Sequence, residues 1–283
     1  VDKTPVTAIV VDYHAGAALV ECVQSLLPQV AEVIVVDNGS QPATQAVLAQ
    51  AGIDQAVTII CNRTNRGFAA ACNQGIVAAT TPYLLFFNPD AVMPADGVAH
   101  LLALLTSSPT IGMVGPKLID AAGTEQWGGR RHFPSLTQAW RRFWRRDPPW
   151  PGGAHPDQPL PVPAISGAAM LVRRRAVAEV GLWDEGYFLH GEDLDWCWRF
   201  QRAGWEVWFE PRVVVRHAKG GCSRQRPLWV EWHKMRGIWR FMRRSTLTGR
   251  WVVLAPVVWL ALLLWWLSQA VRLIRSSSGS AAR

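Results

Sequence analysis

No tryptophan occurs in the first 126 residues, and the last 72 contain a single acid, Glu231. The five cysteines (Cys22, Cys61, Cys72, Cys197, Cys222) form no Cys-x-x-Cys pair, which argues against a disulfide frame and a structural zinc site and points to a reducing compartment. A Gly-x-Gly-x-x-Gly turn is missing. The first apolar run leads instead into Asp12-Tyr13-His14-Ala15-Gly16-Ala17, so dinucleotide binding is disfavoured. Nor is there a Gly-x-x-x-x-Gly-Lys-Ser/Thr loop, which removes the phosphate-loop nucleotidases and leaves any phosphorylated donor in need of a metal to offset its charge. The opening stretch Val1–Asp12 has no basic region followed by a longer apolar one and does not read as a secretion signal. With 49% hydrophobic and 18% charged residues among 283, disorder is excluded.

The net charge of +8 is unevenly placed. Residues 1–120 hold 4 basic and 9 acidic groups, 121–211 hold 11 of each, and 212–283 hold 14 basic against one acidic. All 16 tryptophans lie at or beyond Trp127. Arginine mixed with tryptophan suits a lipid headgroup region. Leu228, Trp232, Met235, Trp239 and Met242 fall on one helical stripe, with Lys234, Arg236, Arg240 and Arg243 elsewhere; this predicts a basic amphipathic helix. Trp251 to Val271 then runs 21 residues without a charge, enough to match a bilayer core of about 30 Å at roughly 1.5 Å per residue. Pro256 is expected to kink it, and arginines at both ends give no orientation. A span, a re-entrant or interface-lying helix with both ends cytosolic, and a core or dimer helix are the readings. Nucleic acid is disfavoured as a partner, because the basic excess lies beside this uncharged run.

Residues 1–115 alternate β-branched runs (Val6–Val11, Val33–Val36, Val57–Cys61, Tyr83–Phe87) with helical stretches near Ala17–Leu27, Thr44–Ala51, Phe68–Ala79 and Ala95–Leu105. This pattern predicts an α/β fold with a mostly parallel sheet flanked by helices. Arg clusters and many prolines across 130–161 predict a mobile insertion or lid. A strand at Ala169–Val172, a helix near Leu194–Ala203 and strands at Glu206–Phe209 and Val213–Val215 follow. This pattern divides the chain into a globular domain over 1–225 (halves 1–115 and 116–225) and membrane-associated helices over 226–283.

Ligands of such sheets sit outside the carboxyl ends of the strands. Asp37, in Val35-Val36-Asp37-Asn38-Gly39-Ser40, either accepts hydrogen bonds from a base or ribose or merely forms an Asx turn. Asp90, in Phe87-Asn88-Pro89-Asp90, is sufficient to anchor a metal diphosphate through Mg²⁺ or Mn²⁺, substrate oxygens completing the set; helix capping is the bland alternative. The densest signal is His190-Gly191-Glu192-Asp193-Leu194-Asp195. Capping explains one of these acids; adjacent Glu192 and Asp193 repel and raise one pKa, the condition that prepares a general base. Asp195 and Arg199 are spaced to pair on the helix. His217 follows a strand, where it either joins a metal site or makes an ordinary surface hydrogen bond. Gly220, Gly221 and Ser223 offer amides to a diphosphate.

These blocks, with Asn65-Arg66-Gly67-Phe68-Ala69, Asn73, Gly75, Ser166-Gly167-Ala168-Ala169, Trp183-Asp184-Glu185, Phe188, Arg199 and Gly204, resemble in order and spacing a bacterial family 2 glycosyltransferase of GT-A fold, in particular its rhamnosyltransferase-like members. The resemblance runs from about Val6 to Ser223. It implies that Asp37 contacts the nucleoside, that Asn65, Arg66, Gly67, Asn73 and Asn88 line the donor site, and that Asp90 carries the metal with His217 in support. Asp193 would be the catalytic base of an inverting single displacement, with Glu192 beside it. Where many relatives have Asp-x-Asp this chain has Asn88-Pro89-Asp90, a substitution shared by rhamnosyltransferase-like members. The implied partners are a nucleotide-sugar donor (dTDP-L-rhamnose), a polyprenyl-diphosphate-linked glycan acceptor and the anionic cytoplasmic face of a bacterial inner membrane, in cell-surface polysaccharide synthesis. A polyprenyl-phosphate sugar synthase, a transferase using UDP- or GDP-sugars, and a non-catalytic GT-A-like binding protein at the membrane are the alternatives.

Overall fold

The computed structural model describes residues 3–135, 156–218 and 227–280. Strands β1 (Thr4–Asp12), β2 (Val30–Asp37), β3 (Thr58–Cys61) and β4 (Tyr83–Phe87) alternate with helices α1 (Ala17–Leu26), α2 (Ala43–Gln50) and α3 (Phe68–Ala78). All pairings within this half are parallel, in the order β3-β2-β1-β4. Its strands read as continuous apolar runs because both faces are covered. Ile9, Val11, Ile34, Val36, Leu84 and Phe86 enter one core layer, while Val10, Val33, Val35, Leu85 and Phe87 enter the other. α1 buries Leu19, Cys22, Val23 and Leu26, one stripe at helical spacing.

β5 (Ala91–Val92), α4 (Gly97–Ser107) and β6 (Ile111–Ile119) follow, then the short β7 (Arg130–Arg131), β8 (Leu160–Pro161) and β9 (Ala164–Ile165). β10 (Ala169–Arg173) inserts antiparallel between β4 and β6, so the sheet as a whole is mixed and only its N-terminal half is uniformly parallel. β6 carries Gly112, Gly115 and Pro116, residues that weaken any strand signal. The glycines leave room for Phe200 and Ile165 on its surface.

After α5 (Arg174–Val180) and α6 (Glu192–Arg202), β11 (Glu206–His217) forms one strand where two were expected. Its register with β6 slips between Glu210 and Val214, opposite Pro116. Pro116 has no N–H to give the ladder, and a bulge there absorbs the mismatch. Residues 136–155 of the expected insertion, and Gly220, Gly221 and Ser223, lie outside the described residues; the insertion's flanks are pinned, β7 to β9 and β8 to β11.

α7 (Pro227–Ser245) and α8 (Ala255–Ser280) follow, separated by a short 3₁₀ turn over Gly249–Leu254. Pro256 begins α8 instead of kinking it, since a first-turn proline forfeits no intrahelical bond. α7 is built into the globular body. Phe241 is fully buried and stacks on Phe133, and Arg240 forks onto Asp184 at 2.9 and 3.1 Å. Arg244 meets Asp184 and, at 3.1 Å, the buried Asp195. Gly237 rests on the loop that leads into α6, where any Cβ would run into the carbonyl oxygen of His190. Gly237→Ala should therefore lower stability by about 1–3 kcal/mol through overpacking, read from the denaturant midpoint. An unchanged midpoint would mean that α7 is free of this loop.

Candidate active site

Asp12 and Asp37 end β1 and β2 side by side in register. Asp37 Oδ1 accepts from the backbone N–H of Gly39 at 3.0 Å and of Ser40 at 2.6 Å, so the Asx turn does form. Its Oδ2 is buried and has no protein partner. A buried acceptor left unmatched costs about 1–3 kcal/mol, which a donor reaching it recovers. Asp12 is spent on Thr44 Oγ1 and Ala15 N, and burial raises its pKa above the usual carboxylate range.

Loop 62–67 is ordered on β2 by amides. Asn38, 2% exposed, donates to Asn65 Oδ1 at 3.0 Å and to Gly67 O at 3.2 Å, and accepts from Arg66 N at 3.0 Å and Asn62 Nδ2 at 3.2 Å. Read in the sequence only as part of an Asn-Gly turn, Asn38 is the hub of this wall. Gly67, at φ 88°, presses on Phe188, whose carbonyl oxygen would stand 2.8 Å from any Cβ there. Arg66 has an exposed side chain. Asn73 differs: its amide is consumed by Trp183 N and O and by Glu185 Oε1, a strut between α3 and the 183–185 turn.

Asp90 and His217 are brought together by the pairing of β5 with β11, where Ala91 lies opposite His217. His217 Nε2 is 3.2 Å from Asp90 Oδ1 and 3.1 Å from Asn88 Nδ2. Gln126 donates through Nε2 to His217 O at 2.6 Å, so its Oε1, 2.8 Å from Nδ1, is the acceptor and Nδ1 carries a proton. Nε2 thus carries the ring's lone pair, placed to accept from Asn88 Nδ2 or to bind a metal cation shared with Asp90 Oδ1. Among the described residues no cluster of three or more His, Cys, Asp or Glu could hold a metal. Two protein donors suit a hard cation whose remaining ligands are substrate phosphate oxygens and water.

The third component arrives from α6. Asn88 N donates to Ala168 O at 2.9 Å, and one residue back Gly167 N donates to Asp193 Oδ2 at 3.2 Å. The residue that follows β4 is thereby joined to the acid that opens α6. Asp193 Oδ2 also pairs with Arg131, while Oδ1 accepts from Leu194 N at 2.8 Å. Arg131 has a further buried nitrogen, Nε, without a partner. Nothing in the sequence distinguishes it from the arginines around it.

The neighbouring acids have other fates. Asp195 is bound to Arg199 at 2.7 Å, the helical pair expected. Glu192 is buried with Oε2 unpartnered, and burial, then the charge of Asp193, raises its pKa well above the ordinary range. His190, in a left-handed conformation at φ 67°, is held neutral, burial pushing its pKa down to about 4 with Lys234 contributing.

Fold and rim together define a GT-A-type α/β protein, with a parallel half and an acid delivered across its strand mouths. The chain belongs to glycosyl transferase family 2, whose family model matches residues 7–181. It is 29% identical over 249 residues to an N-acetylglucosaminyl-diphospho-decaprenol L-rhamnosyltransferase of Mycobacterium tuberculosis, covering 80% of this chain and 79% of the relative. In fold it is similar to a mannosyltransferase from Pyrobaculum calidifontis in complex with GDP-Man and Mn²⁺ (TM-score 0.61, 17% identity, 98% of this chain and 76% of that one). GalNAc-T7 with UDP, GalNAc and Mn²⁺ is likewise similar (TM-score 0.61, 18% identity, 84% and 47%).

Glu192 makes stability depend on pH. Unfolded, it loses its proton in the normal glutamate range; folded, it keeps it to higher pH, so the native state binds more protons across that window and its stability falls as pH rises. Glu192→Gln removes this dependence. The Tm gain of the variant over the parent should grow between about pH 5 and pH 8, and a constant difference would show that Glu192 ionises normally.

Proposed function

We propose that this protein transfers a sugar, L-rhamnose from dTDP-L-rhamnose, with inversion onto a polyprenyl-diphosphate-linked glycan acceptor at the cytosolic leaflet of a bacterial inner membrane, α7 and α8 holding it there. The observation that carries the reading is the pair of hydrogen bonds running from Asn88 through Ala168 and Gly167 to Asp193. It joins a diphosphate-side cluster (Asp90, His217) to a carboxylate suited to proton abstraction. The likeness to the mycobacterial N-acetylglucosaminyl-diphospho-decaprenol L-rhamnosyltransferase supports the sugar and the acceptor class.

In this reading the unmatched Oδ2 of Asp37 receives a hydrogen bond from the nucleoside, and the exposed Arg66 meets the donor phosphates. Arg131 and Gly167 N fix Asp193 Oδ2, and Leu194 N holds Oδ1 along one lone pair. The second lone pair of Oδ1 takes the proton of the acceptor hydroxyl as that oxygen bonds to C1 of the sugar. The C1–O bond to the diphosphate breaks on the opposite face, and the nucleoside diphosphate leaves with the electron pair. Asp90 and His217 would hold Mg²⁺ or Mn²⁺, which supplies charge stabilisation to that leaving group. Glu192, protonated beside Asp193, adds no competing negative charge.

The test is mass spectrometry of products formed from a panel of dTDP-, UDP- and GDP-sugars with a short polyprenyl-diphosphate N-acetylglucosamine acceptor. The expected product carries one added deoxyhexose, from dTDP-L-rhamnose alone; transfer from another nucleotide sugar would overturn the donor. Asp193→Asn should cut turnover by about 10²–10⁴-fold with nucleotide affinity intact, whereas His217→Ala should weaken divalent-dependent nucleotide binding. Full turnover by the Asp193 variant would place the base elsewhere.

A further inference from the structure

The apolar C-terminal helix is long enough to cross a bilayer, with Trp251–Arg272 reaching a mean hydropathy of 2.1. Its packing decides otherwise. Trp259 of α8 meets Trp239 of α7 with ring centroids 5.1 Å apart, and Trp266 meets Trp232 at 5.4 Å. Seven residues forward on α8 thus correspond to seven residues back on α7, the signature of two antiparallel helices side by side over two full turns. The half-buried positions of α8 (Ala255, Val258, Trp259, Leu262, Leu263, Trp266, Gln269, Ala270) follow the broad stripe that faces α7. Val257, Leu260, Leu264, Leu267 and Val271 form the opposite stripe and are exposed.

α7 cannot accompany α8 through a membrane. It bears Lys234, Arg236, Arg240, Arg243 and Arg244, and it is tied to the globular body through Gly237, Phe241 and the ion pairs of Arg240 and Arg244 with Asp184 and Asp195. Charged side chains are strongly disfavoured at mid-bilayer. A spanning α8 would have to abandon both tryptophan pairs. We infer that α8 lies flat along a single leaflet, its Val257–Leu264–Val271 stripe in the acyl region, with α7 as a spacer between lipid and catalytic domain. The occupant of the exposed stripe is an anionic lipid surface, since an uncharged apolar face sits within a segment, 212–283, that has 14 basic residues and one acid. The active-site loop is then held at fixed height over the leaflet, because Gly237 of α7 seats against His190.

This rests on the membrane attachment proposed above, and one experiment separates the two. Val257→Cys, Leu264→Cys and Val271→Cys, each in the full chain with Cys61→Ser and Cys222→Ser, are spin-labelled and bound to vesicles of phosphatidylethanolamine and phosphatidylglycerol. Immersion depth is read from relaxation by oxygen against a water-soluble nickel complex. The three positions are seven residues apart on one face, so a flat helix puts all three at the same depth. A spanning helix puts Leu264 deepest, by about 10 Å at 1.5 Å rise per residue, and overturns the inference. Three labels that stay in water while the protein fails to sediment with the vesicles would overturn the membrane attachment itself. A second readout is alkaline phosphatase fused after Arg283 in cells: it should be inactive, as for a cytosolic end, and full activity would again mean a span.

Discussion

The junction that carries the candidate site depends on the direction of one strand. β10 enters the sheet antiparallel to β4, so the residues that precede it stand beside the residues that follow β4. Only because of that reversal can Asn88 N reach Ala168 O and Gly167 N reach Asp193. A parallel β10 would begin at the far edge of the sheet and leave the α6 acid on the wrong side of the molecule. Binding sites at the carboxyl ends of parallel strands are a general outcome of α/β folds; here one inverted strand brings a second half of the chain to the same edge.

Three acids occupy the first turn of α6 and face three environments. Asp195 is consumed by Arg199 and Arg244, which fastens α6 to α7. Glu192 is buried without a cation of its own and stays protonated to high pH. Asp193 lies between, hydrogen-bonded on both oxygens and joined through Gly167 to the loop that precedes β10. The helix N-terminus favours ionised acids in general, but the differences among these three come from what packs on each. Setting the ionisation of neighbouring carboxyls apart is how one site acquires distinct chemical roles.

Much of this was legible in the sequence. β1, β2 and β4 are buried on both faces, so their β-branched and aromatic runs are unbroken, and the polar residues that terminate them (Asp37, Asn88, Asp90) stand out. The tight Glu192-Asp193 pairing and the Asp195–Arg199 spacing are local and readable for the same reason. What was hidden is what depends on distant partners. β6 owes its place in the sheet to Phe200 and Ile165 filling the space over its glycines, a context no local propensity carries. Arg131 is one arginine in a cluster until the β7–β9 pairing aims it at Asp193. Asn38 and Gln126 act through amide geometry, which residue type alone does not signal. The packing of the apolar C-terminal run on α7 is likewise a tertiary contact that its length and composition do not signal.

The central claim is that Asp90, His217 and Asp193 serve one pocket. Anomalous diffraction from crystals grown with Mn²⁺ and thymidine diphosphate tests it most directly. The account predicts a manganese peak bound by Asp90 and His217, with the diphosphate extending toward the 166–168 loop and Asp193. A peak at Asp12 and Asp37, or a diphosphate lying away from that loop, would contradict it.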